Sequence, residues 1–132
     1  MKIGYLTINC ATQIRPDTLA RELEERGFDS IWVPEHSHIP VERRSPYPGG
    51  GDLPSGYWSM MDPFVSLQAA AAATTDLTLA TGICLLLEHD VLALAKTVAA
   101  VALGMFGGDF GEKVLINIGG DDFGERRVAR KR

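Results

Sequence analysis

The sequence has little of what would place it in several broad classes. Its two cysteines, Cys10 and Cys84, lie far apart and form no CxxC pair. That excludes a disulfide-stapled scaffold and predicts two reduced, buried thiols in a cytoplasmic protein. No long hydrophobic run is present. The longest apolar stretch, Val91 to Phe106, is interrupted by Lys96 and Gly104; it is too short to span a bilayer and reads as a buried helix. The opening MKIGYLTINCATQIRPD has too short an apolar run, and charges too soon after it, for a signal peptide. Basic residues are not in excess: 13 Lys and Arg stand against 17 Asp and Glu. Five of the 13 fall in the last segment, ERRVARKR (125–132), so the body is strongly acidic. An acidic body argues against a nucleic-acid surface, and a short basic end is ordinarily solvated. There is no GxGxxG, no GxSxG and no Walker A motif.

What is present is the composition of a folded domain. Apolar residues make up 45% and charged residues 23%, which is incompatible with disorder as the main state. The length of 132 residues allows one domain that buries about two-thirds of its unfolded surface.

The elements can be read in order. Lys2 to Asn9 is apolar and β-rich, a first strand. Pro16 and Asp17 carry helix-start chemistry, a fixed φ and a negative charge in the first turn. Leu19, Ala20 and Leu23 share one face of that helix, and Gly27 suits the position after its end. Ser30 to Pro34 reads as a second strand. Residues 37–59 contain four prolines and four glycines, too many for any regular element. A loop of that length in a compact domain is usually functional, and its aromatics favour an ordered loop lying over a site. Asp62 and Pro63 open a second helix that runs through the alanines to Thr75. Asp76 to Ile83 is a third strand, Asp90 caps a third helix to about Leu103, and Val114 to Ile118 is a fourth strand. This βαβαβαβ order, with nearly continuous apolar runs in strands two to four, predicts parallel strands joined by right-handed helical crossovers and covered on both faces.

Ligands of parallel α/β folds bind at the carboxyl ends of the strands. Asn9 and Cys10 follow the first strand, and Glu35-His36-Ser37-His38 follows the second. Thr81-Gly82-Ile83-Cys84 ends the third, and Gly119-Gly120-Asp121-Asp122 follows the fourth. A histidine at a strand end can exchange a proton near neutral pH or hydrogen-bond a ligand; it can also be a histidine satisfied by backbone. His36 and His38 are spaced to point the same way, which would suit a metal if His89, Asp121 or Asp122 completed the ligands. Gly82 would let backbone approach a ligand closely.

Three segments carry a resemblance to a known family: GFDSIWVPEHSHIP (27–40), RRSPYPGGGDLP (43–54) and DPFVSLQAAAAATTDLTLATGICLL (62–86). In this order and spacing they resemble the luciferase-like monooxygenases, and more narrowly the branch using a 5-deazaflavin. The resemblance covers residues 1–99, and 113–120 in outline. It implies the N-terminal half of a (β/α)8 TIM barrel, about four strands, as a half-barrel domain over 1–124 with 37–59 as a long active-site loop and 125–132 as a basic tail.

The function so implied is flavin- or deazaflavin-dependent hydride transfer at the carboxyl face, with FMN or coenzyme F420 as cofactor. The family's acid–histidine pair falls on Glu35 and His36, implied to be catalytic and cofactor-binding. Asn9, Thr81, Gly82, Ile83, Gly119 and Gly120 fall on cofactor-binding positions, and a non-prolyl cis peptide is expected in 81–83. His38, Tyr47, Tyr57 and Trp58 would belong to the substrate loop, and no metal is implied.

The chain departs from the family in two respects. Members run to about the ~250 residues of a whole barrel, and residues 100–113 lack the family's Ser-Gly-Gly-Arg turn. Half a barrel leaves edge strands and an apolar inner face uncovered. A homodimer or a partner chain would have to complete it, and self-association is expected because the core-facing residues remain apolar. A small-molecule substrate is implied. A truncated, non-catalytic cofactor- or partner-binding module is the alternative, and a hydrolase with metal on His36 and His38 a further one.

Overall fold

A computed structural model describes residues 1–103 and 114–118. Its elements alternate: β1 (Gly4–Leu6), α1 (Pro16–Glu25), β2 (Ser30–Val33), α2 (Pro63–Ala73), β3 (Thr78–Thr81), α3 (Val91–Leu103) and β4 (Val114–Leu115). The strands form one parallel sheet in the order β1-β2-β3-β4. All four are shorter than the sequence suggests, because their carboxyl ends pass early into the turns that carry polar residues.

Helix boundaries follow local chemistry. Pro16 opens α1; Gly27, at φ +77°, turns the chain out of it in the left-handed region that glycine tolerates. The Asp62 carboxylate accepts the Val65 N–H at 2.9 Å, capping α2 just ahead of Pro63. Asp90 does the same for α3 through the Ala93 N–H at 2.8 Å. The loop expected to hold no regular element contains one short 3-10 turn, Ser55–Ser59. Another 3-10 turn, Leu86–Glu88, lies between β3 and α3.

Register decides which strand residues enter the core. Tyr5, Ile31, Leu79 and Val114 lie in one row across the sheet, and Leu6, Trp32, Ala80 and Leu115 in the next. The first row faces the helices: Ile31, Leu79 and Val114 join Ala20, Leu23, Phe64, Leu67 and Ala71 in the main core, and Tyr5 packs edge-on against Phe28. The second row faces away. Trp32 is only half-buried there and Leu6 is 65% exposed. The sheet is therefore covered on one face by the described residues, not on both as its apolar strands suggested. Runs of Ile, Leu and Val mark a strand meant for burial without showing what buries it.

The third helix differs from expectation in the same way. Only Leu94, Val101 and Ala102 of α3 are buried, while Val91, Leu92 and Leu103 are exposed. One flank packs on the core and the other meets no described neighbour. No helix among the described residues is long and apolar enough to cross a membrane. The basic segment 125–132 lies outside the described residues.

Candidate functional site

The polar residues selected from the sequence gather at the carboxyl edge of the sheet, but the structure gives them different work. Asn9, after β1, is buried and adopts φ 52°, a left-handed conformation that asparagine tolerates better than most residues. Its N–H donates to Thr7 Oγ1 at 3.0 Å and its Nδ2 to the Met61 carbonyl at 2.9 Å. Met61 N–H returns a 2.8 Å bond to the Asn9 carbonyl. Asn9 thus ties the end of β1 to the segment entering α2.

Thr81 is fully buried. Its hydroxyl accepts from Asn117 N–H at 2.9 Å and donates to the Asn117 carbonyl at 3.2 Å, carrying the β3–β4 link past the strand pairing. The Gly82–Ile83 peptide is cis. A Cβ placed on Gly82 would stand 3.4 Å from both Leu6 Cδ1 and Trp32 Cβ, so Gly82 lies on the inner face. Ile83 is exposed beside it in sequence. Gly119 and Gly120 lie outside the described residues, as do Asp121 and Asp122.

The segment after β2 divides its residues between two neighbours. Glu35 is buried, its side chain 5% exposed. Its Oε2 accepts the Leu85 N–H at 2.7 Å, and its Oε1 accepts from His89 Nε2 at 2.6 Å. Ser37 donates to the Glu88 carboxylate, so the 2.8 Å contact between Ser37 Oγ and His38 Nδ1 has the imidazole as donor. Glu35 and Ser37 are therefore both held by the turn that follows β3. His36, between them, is exposed and packs instead against Tyr57, ring centroids 5.3 Å apart and tilted by 49°. Tyr57 meets Tyr47 edge-on at 5.9 Å; burial, and then the Tyr47 neighbour, raise its phenol above the ordinary range. Trp58 stays 58% exposed.

The expected parallel orientation of His36 and His38 is not what forms. His36 turns to the long loop and His38 to Ser37. The donor group that does converge among the described residues is Glu35, Cys84 and His89, within 4.8 Å of one another. Its chemistry could suit zinc, but two ligands of a tetrahedral zinc stand about 3.3 Å apart given Zn–N and Zn–O bonds near 2 Å. The 2.6 Å between Glu35 Oε1 and His89 Nε2 is instead a direct hydrogen bond. Burial first, and then the charge of Glu35, push the Cys84 thiol up to about 11, so it faces the carboxylate as a neutral group.

His89 is the residue whose part sequence reasoning missed; it figured there only as a metal ligand. The signal was present: Glu88-His89-Asp90 is a polar cluster inside an otherwise apolar stretch, at the carboxyl end of a strand.

Comparison with known proteins bears on the family and the fold. The family model for luciferase-like monooxygenases matches residues 14–108. Uncharacterized proteins of Mycobacterium tuberculosis and Mycobacterium bovis are each 42% identical over 104 residues, 76% of this chain and 37% of theirs. The oxygenating constituent of 3,6-diketocamphane monooxygenase from Pseudomonas putida, a type II Baeyer-Villiger monooxygenase solved with FMN, superposes with a TM-score of 0.62. At 17% identity over 91% of this chain and 30% of that one, this is a likeness of fold alone. An F420-dependent secondary alcohol dehydrogenase, solved with an F420–acetone adduct, superposes with a TM-score of 0.57 at 26% identity, over 87% of this chain and 30% of that one. The chain thus spans about a third of the length of the proteins it matches.

Proposed function

The chain belongs to the luciferase-like monooxygenase family, and from that premise we propose that it is a flavin- or deazaflavin-dependent oxidoreductase domain. FMN or coenzyme F420 binds at the carboxyl edge of the sheet, and a small-molecule substrate enters beneath the loop of 37–59. The observation that carries the reading is the place of His36. It is an exposed imidazole three residues past the carboxyl end of β2, the strand that also carries Trp32, whose Cβ and Leu6 Cδ1 lie against Gly82.

The residues fit such a ring. A tricyclic ring needs an apolar plane and few, well-placed polar groups. The half-buried Trp32, the exposed Ile83 and the side-chain-free Gly82 supply the plane. His36 supplies a group that can hold or move a proton at a ring nitrogen. The bound cofactor provides the hydride chemistry; the chain orients it, shields it and manages the proton. Tyr47, Tyr57 and Trp58 line the approach on the loop side. Glu35 and Thr81 support the site through the bonds they make within the chain and do not face a ligand directly.

Half a barrel also needs its inner face covered. We place a second copy there, because Leu6 and Trp32 remain apolar where a self-sufficient chain would carry polar residues. Cys10 and Cys84, both buried and unbridged, are in keeping with a cytoplasmic location.

The test is a fluorescence titration of the purified chain with FMN and coenzyme F420 in parallel, with molar mass followed by light scattering. Micromolar binding of one cofactor by a species of twice the chain mass is expected. A monomer that binds neither would overturn the reading.

A further inference from the structure

We infer that His89 and Glu88, on the turn after β3, are positioning residues for His36, acting through the two residues that flank it. Glu35 precedes His36 and is gripped at both oxygens, by Leu85 N–H and by His89 Nε2. Ser37 follows it and is gripped by Glu88. Residues 35 and 37 thus face the turn of 85–89, and the imidazole between them is directed to Tyr57.

Among the described residues His36 has little else to fix it. It is exposed, and one tilted ring contact leaves a side chain considerable rotamer freedom. The grip on its neighbours is firmer, because it reaches the core. The His89 ring stands edge-on to Phe64 at 6.0 Å, and Phe64 is buried on α2 among the main core residues. A path of direct contacts therefore runs from the core through Phe64, His89 and Glu35 to the backbone of His36. Carboxylates that accept from an imidazole N–H are a general device for orienting a site from its surroundings.

What the imidazole does once positioned rests on the reading given above; that it is positioned in this way does not. The first experiment therefore uses the full chain without cofactor. Imidazole NMR is tractable because the sequence has three histidines. The His36 ring signals carry a ring-current shift from Tyr57. In His89→Leu, which offers Glu35 no N–H donor, they are expected to move toward the positions of a freely rotating imidazole. In His89→Arg, which again offers an N–H donor to Glu35, they are expected to return.

Unmoved His36 signals in a folded His89→Leu chain would overturn the proposal, as would failure of a folded His89→Arg chain to restore them. If His89→Leu does not fold, Glu88→Ala, which leaves Ser37 no acceptor at that position, releases the second grip and must shift the same signals; if it leaves them in place, the proposal fails.

A second readout concerns turnover with bound cofactor. It is expected to fall about 100-fold in His89→Leu, the scale on which a small misplacement of a reacting group is felt, and to recover in His89→Arg. Absence of cofactor binding in the unaltered chain would count against the functional reading alone, because the NMR result stands without it.

Discussion

Glu24, near the end of α1, and Leu77, just ahead of β3, are joined by a 2.8 Å hydrogen bond across 53 residues of chain. The same carboxylate accepts the N–H groups of Thr75 and Asp76. One side chain of α1 therefore satisfies three successive backbone donors of the turn that leaves α2. The bond fixes where β3 begins relative to the helical layer, and so where its carboxyl end delivers Gly82 and Ile83.

That arrangement makes stability depend on pH in a definite direction. Partial burial alone would raise the Glu24 carboxyl, but the Asp76, Leu77 and Thr75 N–H groups outweigh it and hold it below the ordinary glutamate range. A depressed carboxyl stabilises the fold above its unfolded value. The contribution is lost as pH falls through that value and on to the lower folded one. Glu24→Gln should flatten this acid limb. Glu24→Ala should cost about 1–2 kcal/mol at neutral pH, a figure at the lower end for charged hydrogen bonds because the carboxylate is partly exposed. Urea unfolding at several pH values measures both. An acid limb unchanged in Glu24→Gln would show that another carboxylate governs it.

His36→Ala should leave the fold intact and remove the proton-handling group. Its ring is exposed and contributes nothing to the main core. Turnover with the preferred cofactor should drop at least about 100-fold, the usual scale of general acid–base contributions. Far-UV circular dichroism should be unchanged. Undiminished turnover would withdraw His36 from the chemistry.

Cys84 should be a slow, neutral thiol. It is buried against the Glu35 carboxylate, and burial before charge lifts it to about 11. In a Cys10→Ser background, its thiolate absorbance should therefore appear only in strong alkali. Replacing Glu35 by Gln removes the charge but not the burial. The midpoint should then fall, yet stay above the usual thiol range near 8.5. A midpoint that does not respond to Glu35→Gln would mean the two groups do not interact.

The sequence made the order of elements legible because its local signals agree with one another. Asp62-Pro63 and Asp90 sit where caps are needed, Gly27 where φ must be positive, and the apolar runs where strands are buried. The carboxyl-edge residues were legible too, since strand ends follow from strand positions. Their division of labour was not. Whether Glu35 faces a ligand or His89 depends on a contact across 54 residues, which no local pattern encodes. Thr81 likewise gives its hydroxyl to the Asn117 backbone, a partner fixed only by β3–β4 register. The exposed flank of α3 escaped for a related reason; the open face of the sheet was expected only from the half-length resemblance, not from the strands' own apolar pattern. Periodicity reports how apolar a face is, but not what lies against it.

That open face permits a direct test of assembly. Leu6 is 65% exposed and lies in the row of Trp32, Ala80 and Leu115, turned away from the helices. A single exposed leucine needs no explanation, but this row is apolar throughout, with Leu6 and the partly exposed Trp32 and Leu115 around a buried Ala80, and it lies beside a β1 edge that pairs with no other strand among the described residues. Covering Leu6 on association would contribute about 1.5–3 kcal/mol per side chain, counted twice in a symmetric dimer. Burying an aspartate there would cost more than that. Leu6→Asp should therefore turn a dimer into a monomer by light scattering while the helical core, which does not include Leu6, stays folded. Cofactor affinity should fall with it, since the ring is proposed to lie at the carboxyl edge of the barrel that this contact completes. A dimer that survives Leu6→Asp would move the contact elsewhere, with the exposed flank of α3, Leu92 and Leu103 among it, the next surface to alter.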